Sequence, residues 1–340
     1  MGLFRTQLRY DMFDFARSAD EAKRFVKCAN IYHRGQELAW DGRDILGELI
    51  AKHGGVHLDD PAKRQALARV FNIILWGELA AWKISAQLAD RLVPMEAKLA
   101  ATAQAFDEAR HFYVMHDYLD ALGFRPTRMD RAPQALLDVV LETDDLAVKI
   151  LGMQLMVETM ALTLFQTVRD LEVEPVLTEL LRYFERDEAR HVGLGMQFLP
   201  TLIKDMSKRQ LLGLITQQTR LLGWAMAEQW VLRRDFEALG LNPRVVMERA
   251  RRKQVAAISS AYAALGIDFN ELRNPASMSL NAAVELLFPY APTGPVGRVR
   301  NAVAALWRTE PMPDASELGQ HGAHPIRTAR GKVAGADAEA

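Results

Sequence analysis

The chain has 340 residues, 49% of them hydrophobic and 25% charged, which is the make-up of a globular protein with a large core. A formal net charge of −1 leaves no basic surplus for nucleic acid, and the single cysteine, Cys28, excludes an internal disulfide and a cysteine metal cluster. There is no uninterrupted apolar run of about 18 residues and no apolar signal-peptide core after Met1-Gly2-Leu3-Phe4-Arg5-Thr6, so the expectation is a cytoplasmic protein with no transmembrane segment.

In chain order, residues 3–15 mix aromatic and aliphatic side chains with Arg5 and Arg9, as in a strap over the protein's own core or against a second subunit; a homodimer is expected. Ser18-Ala-Asp-Glu21 is a capping-box signature that starts a helix. Helical patterning then runs to Lys52, with an interruption near Tyr32-His33-Arg34-Gly35, and stops at Gly54-Gly55. His53 and His57 flank that stop as polar loop residues. Residues 1–60 thus form an N-terminal helical strap.

Four long helices follow: Pro61 to Leu92, Pro94 to Leu122, Leu136 to Leu171 and Pro175 to Leu199. Between the second and third, Gly123 and a loop around Pro126 and Pro133 suit a crossover along a bundle spanning residues 61–200. After Pro200, helices over Ser207–Leu239, Pro243–Leu265 and Met278–Phe288 make an accessory region, residues 201–290. Pro292, Gly294, Pro295 and Gly297 then read as a linker, and the rest of 291–340 as a disordered tail. That tail removes His321 and His324 from the candidate ligands and leaves Arg298, Arg300 and Arg308 solvated.

One word occurs twice within the bundle region: Asp107-Glu108-Ala109-Arg110-His111 and Asp187-Glu188-Ala189-Arg190-His191. Each copy follows an isolated glutamate, Glu78 or Glu158, by 30 residues, so the whole set recurs at a period of 80. In Glu-x-x-His both side chains share one helix face and can reach one ion. Pro94 and Pro175 fall midway between the paired glutamates and mark helix starts. Folding there brings each pair to one height, roughly 20 Å from its turn. Two such hairpins bring Glu78, Glu108, His111, Glu158, Glu188 and His191 to one level as ligands of two metal ions. A solvated Glu-His pair on one helix surface is the bland alternative, but it gives no reason for the acids to repeat in register.

Four carboxylates and two imidazoles suit Fe(II) or Mn(II) and disfavour soft ions, and two divalent cations neutralise four buried acids. Asp107 and Asp187 each precede a ligand glutamate, so they project from a neighbouring face, placed to accept the free imidazole N–H of the opposite histidine. Arg110 and Arg190 can then pair with those aspartates; a plain interhelical salt-bridge set with no tuning role is the other reading.

The twin Glu-x28-Asp-Glu-x-Arg-His pattern resembles the ferritin-like, carboxylate-bridged di-iron superfamily over residues 66–200. Within it the likeness is to Mg-protoporphyrin monomethyl ester cyclase and demethoxyubiquinone hydroxylase types. The resemblance implies an all-α, ferritin-like four-helix bundle with extra terminal helices. It implies two irons held by the six residues, with Glu108 and Glu188 bridging, and reductive O2 activation fed by an external electron donor, a ferredoxin or reductase. The substrate would be a small hydrophobic organic molecule to be hydroxylated, desaturated or cyclised. Departures narrow the choice: Met115 stands where ribonucleotide reductase carries its radical tyrosine, Leu162 where multicomponent monooxygenases carry threonine, and Leu155 and Ala161 where rubrerythrins add a glutamate. Tyr113, Tyr118 and Tyr183 are expected to be packed aromatics. Gln154, one turn before Glu158, marks either the substrate side or merely a helix surface. Phe71, Leu75, Trp76, Trp82, Phe112, Met115, Met153, Met156, Phe165 and Phe184 are expected around the site as core, with some shaping a pocket. Two alternatives stay open: a ferroxidase handling iron as cargo, and a Mn/Fe or radical-type ligand-binding oxidase.

Overall fold

The computed structural model describes residues 14–263, 265–266, 275–290, 293–307 and the short segments 326–327 and 333–334. Their regular structure is helical apart from a two-residue antiparallel pair, Ile326–Arg327 with Val333–Ala334. Residues 1–13 of the expected strap, His321, His324, Arg308 and most of the expected tail lie outside them.

The N-terminal region folds as α1 (Phe15–Arg24), α2 (Val26–Glu37) and α3 (Gly42–His53). The helix starts earlier than Ser18 suggested, because the Asp14 side chain accepts the Arg17 N–H and leaves Ser18 inside the helix. The break falls at Phe25, whose ring packs on Phe198 at 5.6 Å between centroids. The stretch Tyr32–Gly35 continues α2 without interruption. Asp41 caps α3 through the Arg43 and Asp44 N–H groups, and Gly54, at φ 74°, ends it in the left-handed region that favours glycine.

Next come α4 (Pro61–Arg91) and α5 (Met95–Ala121). The third expected helix is divided. Its first part, α6 (Arg131–Glu142), takes Pro133 into its opening turn, where a proline costs no helical hydrogen bond. At Thr143–Asp145 the chain breaks, and Asp145 caps a new helix by accepting the Ala147 and Val148 N–H groups. That helix consists of α7 (Leu146–Ile150), a π-helical stretch (Leu151–Val157) and α8 (Glu158–Asp170). Apolar periodicity runs through the break unchanged, so only the cap could have marked it. In the turn after α8, Glu174 is buried and caps α9 (Pro175–Ile203) through the Val176 and Leu177 N–H groups. Pro200 does not end α9 but lies inside it, giving up one helical N–H while Phe198, Leu199 and Ile203 stay in the core.

The remaining helices are α10 (Lys208–Ala238), α11 (Pro243–Ala263), α12 (Pro275–Leu287) and α13 (Pro295–Ala305). Ser207 and Gln210 form a reciprocal capping box at the start of α10. The proline–glycine stretch expected as a linker is partly helical: Gly294 and Pro295 open α13 rather than spacing two regions.

Helix α4 packs along α5, α8 along α9, and α5 against α9, with α2 and α3 laid over α5 and α9. Helix α6 bridges α4 and α10, and α11 covers α8 and α9. Apolar side chains form two layers. One joins Leu67, Phe71, Met115, Tyr118, Phe165, Leu180 and Phe184; the other joins Ile84, Leu88, Ala97, Met153, Met156, Val192 and Leu199. Burying each large side chain stabilises the fold by about 1.5–3 kcal/mol. Along every one of the four helices the motif residues fall between the two layers. Among the described residues one helix, Leu146–Asp170, is long and apolar enough to cross a membrane, but 78% of its apolar window is buried within the protein and it carries Glu158.

Candidate metal centre

Glu78 comes from α4, Glu108 and His111 from α5, Glu158 from the start of α8, and Glu188 and His191 from α9. All six are buried, the most exposed at 4%. They fall into two overlapping sets able to hold an ion: Glu78, Glu108, His111 and Glu188, and Glu108, Glu158, Glu188 and His191. Within each set, one ligand atom per residue lies within 4.8 Å of all the others. Glu108 and Glu188 belong to both sets. His111 Nδ1 is 3.4 Å from Glu78 Oε2, 3.4 Å from Glu108 Oε2 and 3.2 Å from Glu188 Oε1. His191 Nδ1 is 2.9 Å from Glu108 Oε1 and 3.1 Å from Glu188 Oε2.

The donor set fits a cation on a direct observation. Glu108 Oε2, His111 Nδ1 and Glu188 Oε1 are buried and have no hydrogen-bond partner. Buried polar atoms almost always have one, and leaving one without costs about 1–3 kcal/mol. Here the orphans are acceptors facing one another, the arrangement a divalent ion satisfies. Mixed oxygen and imidazole donors suit a hard or borderline divalent ion rather than a soft one.

Each imidazole is held from behind by an aspartate of the opposite motif. His111 Nε2 lies 3.2 Å from Asp187 Oδ2, and His191 Nε2 lies 3.4 Å from Asp107 Oδ2. A carboxylate at Nε2 selects the tautomer with its proton there, so the Nδ1 lone pair faces the glutamates. Arg190 donates to Asp107 Oδ2 at 2.8 Å and to Asp187 Oδ1 at 2.7 Å. Arg110 donates to Asp187 Oδ2 at 2.7 Å and also to Asp107. Arg186 adds a third guanidinium, 3.5 Å from Asp187 Oδ1, so two aspartates and three arginines close the lattice behind the centre.

The electrostatics follow from burial and proximity. Burial pushes Glu78 and Glu158 well above the usual carboxylate range; Glu188 and Glu108 add to this by repulsion, and at Glu78 His111 works against it. Burial also works upward on Glu108, but the charge of His191 and the closeness of both imidazoles hold it well below that range. Against the downward pull of burial, facing carboxylates raise His111 and His191 well above the ordinary imidazole value. The same four acids that repel one another therefore draw positive charge into the layer.

Several contributors were not evident from the motif. Gln104, one turn before Glu108, donates to Glu108 Oε1 at 3.2 Å and Glu158 Oε1 at 3.0 Å. Its counterpart 80 residues on is Phe184, which stacks on His111 with 4.3 Å between centroids. Spacing of one turn from a ligand was the available signal for Gln104. Trp40, between α2 and α3, donates to Asp187 Oδ2 at 2.7 Å and lies beneath the Arg110 guanidinium at 4.7 Å; nothing local in the sequence ties it to the centre. Gln154 is buried against Gln104, 3.5 Å away, so it is neither a helix-surface residue nor part of the cavity wall.

The π-helical stretch ends at Glu158. Its wider turn disturbs the regular ladder, and side chains take up its carbonyls: Thr159 donates to Leu155 and Met156, and Gln254 to Met156. Gly195 of α9 passes so close that a Cβ there would sit 2.7 Å from Leu155 and 2.8 Å from Gln154.

A cavity of about 70 Å³ reaches Glu78 and Glu158. One water needs roughly 10–15 Å³ of such space, so it admits a slender organic chain. Its walls come from α4, α6, the start of α8, α10 and α11, including Ile73, Leu136, Met160, Leu164, Leu232 and Phe236. The aromatic and methionine residues expected to shape a pocket are elsewhere. Phe71, Met115, Phe165 and Phe184 are core, while Trp76 and Trp82 lie outward on α4, Trp76 donating to Thr127 O and Trp82 40% exposed. Tyr118 donates to Glu174, and Tyr183 packs on Trp40.

A scan of protein-family models finds no match to this chain, and a search of curated proteins finds no relative.

Proposed function

We propose that the protein is a non-haem di-iron oxygenase or oxidase on a ferritin-like four-helix bundle, acting on a small hydrophobic organic molecule. The observation that carries this reading is the pair of overlapping ligand sets sharing Glu108 and Glu188, with an apolar cavity running up to Glu78 and Glu158. Two shared carboxylates between two imidazoles are what a dinuclear centre requires, since one ion would leave part of the set unsatisfied.

When bound, two ferrous ions supply reductive O2 activation. For a hydroxylation, one oxygen atom enters a C–H bond, the other leaves as water, and an external ferredoxin or reductase provides two electrons with two protons. The chain's own residues do the positioning. Asp107 and Asp187 fix the imidazoles through Nε2, leaving Nδ1 toward the centre. Gln104 orients Glu108 and Glu158. The apolar walls exclude water that would otherwise quench an oxidising species. That cavity favours an organic substrate over iron as cargo.

Anaerobic Fe(II) loading, O2 exposure and small-molecule profiling against Glu108→Ala test the proposal. Two irons per chain and an oxidised product absent from the variant are expected. Uptake of many irons per chain would turn the reading to ferroxidase, and a Mn/Fe pair in metal analysis would turn it to a mixed-metal oxidase.

A further inference from the structure

The α10 wall of the cavity is chemically one-sided. Apart from Glu78 and Glu158, its polar lining among the described residues comprises Thr163, Glu228 and Gln229, and none of those residues that line it is a lysine, arginine or histidine. The Thr163 hydroxyl is already committed, donating to Thr159 O at 2.7 Å. Gln229 Oε1 is buried and has no hydrogen-bond partner among the described residues. Burial alone pushes the Glu228 carboxyl up to about 7, with no neighbouring cation to offset it. Two acceptors, one able to carry a negative charge, thus sit side by side in an otherwise aliphatic wall.

We infer that this cavity binds a primary alkyl or arylalkyl amine as its ammonium form, with the –NH3+ group donating to Glu228 and to Gln229 Oε1 and the hydrocarbon lying along Ile73, Leu136, Leu164 and Leu232 toward Glu78 and Glu158. An ammonium carries three donors and no acceptor, the complement of this wall. A carboxylate or phosphate placed at the α10 wall meets the Glu228 carboxylate and, among the described lining residues, no lysine, arginine or histidine, so an anionic head group is disfavoured there. An alcohol offers one donor and no charge. The inference rests on the oxygenase reading for the fate of the amine, but not for its binding.

The test is calorimetric titration of the metal-loaded full chain at pH 7.5 with n-hexylamine, n-hexanol and n-hexanoate. Hexylamine is expected to bind at least ten-fold tighter than hexanol, with no detectable hexanoate binding. Glu228→Gln should bring hexylamine to within a few-fold of hexanol, and Gln229→Leu should weaken it less. Equal affinity for amine and alcohol in the native chain overturns the inference, and that comparison stands even if a variant misfolds. So does full amine affinity in a helical, metal-loaded Glu228→Gln chain, which would mean that the amine ligates the metal instead. Metal content on the same samples separates the two claims. A chain that prefers hexylamine but loads no metal sinks the di-iron reading alone; two irons without amine preference sinks only this inference.

Discussion

Asp187 of α9 reaches across the centre to His111 of α5, and its Oδ2, 3.2 Å from the imidazole Nε2, also accepts Trp40 Nε1–H and an Arg110 N–H, both at 2.7 Å. One carboxylate oxygen thereby fixes the ring orientation of a residue 76 positions away in sequence. Its mirror, Asp107 toward His191, has the arginines but no tryptophan. The duplicated motif is therefore symmetric at the imidazoles and asymmetric one step behind them.

From that asymmetry, Asp187→Asn is expected to keep the helical fold and lower metal affinity by about 10–100-fold, the usual effect of losing an outer carboxylate. Asp107→Asn should cost less. Chelator competition with ferrous or manganous ion measures both; unchanged affinity in the two variants would leave the aspartates as salt bridges only.

Membership of the ligand sets gives a stoichiometric prediction. Glu108 and Glu188 stand in both sets, Glu78 and Glu158 in one each. Glu108→Ala and Glu188→Ala are each expected to abolish two-metal binding, whereas Glu78→Ala and Glu158→Ala should retain about one ion per chain. Elemental analysis after desalting decides it. Two tightly held ions in both Glu108→Ala and Glu188→Ala would remove these residues from the centre.

The all-helical class and the register of the six buried residues were legible because both are periodic properties: apolar spacing for the helices, an 80-residue repeat for the motif. What was not legible depended on contacts far apart in sequence. Trp40 meets Asp187 only once α3 folds over α9. Glu228 and Gln229 lie on a helix outside the repeat, so no register pointed to them. Local breaks were missed where a single cap outweighed a continuous pattern, as at Asp145. Proline and glycine misled at Pro200 and at Pro295, where a helix interior and a helix start absorb them. The π-helical stretch has no periodic signature of its own, since its departure spans one short segment, Leu151–Val157.

That stretch makes a packing prediction. Gly195→Ala places a methyl carbon within 3.0 Å of Leu155 and Gln154 side-chain atoms, where the backbone of α9 cannot yield without moving the π segment. Overpacking of this kind costs about 1–3 kcal/mol, read as a lower urea midpoint. Gly47→Ala in α3 is the control, because a Cβ there meets nothing within 4 Å. It should stabilise by up to about 1 kcal/mol, the helix-propensity gain over glycine. Equal effects at the two positions would show that Gly195 is not needed for close approach.

A pH prediction comes from Glu185, 2% exposed on α9, which accepts from Arg169 through Oε2 while Oε1 has no partner. Burial raises its carboxyl from 4.5 to about 7; the nearby Asp170 adds to this, and Arg169 only partly offsets it. The folded chain therefore holds this proton more tightly than the unfolded chain, so the stability it contributes is present below about pH 4.5 and is lost as pH rises through about 7. At ~1.4 kcal/mol per unit the loss is about 3 kcal/mol at most. Glu185→Gln removes the titration, so its stability relative to the native chain should climb between pH 5 and pH 8, by urea midpoints at constant ionic strength. Lys253, which burial lowers to about 8, acts in the opposite sense as pH rises through that value, so the part of the window below about pH 7 reports Glu185 most directly. Parallel curves for the two chains across the window would mean that Glu185 titrates as an ordinary surface carboxylate, which its burial forbids.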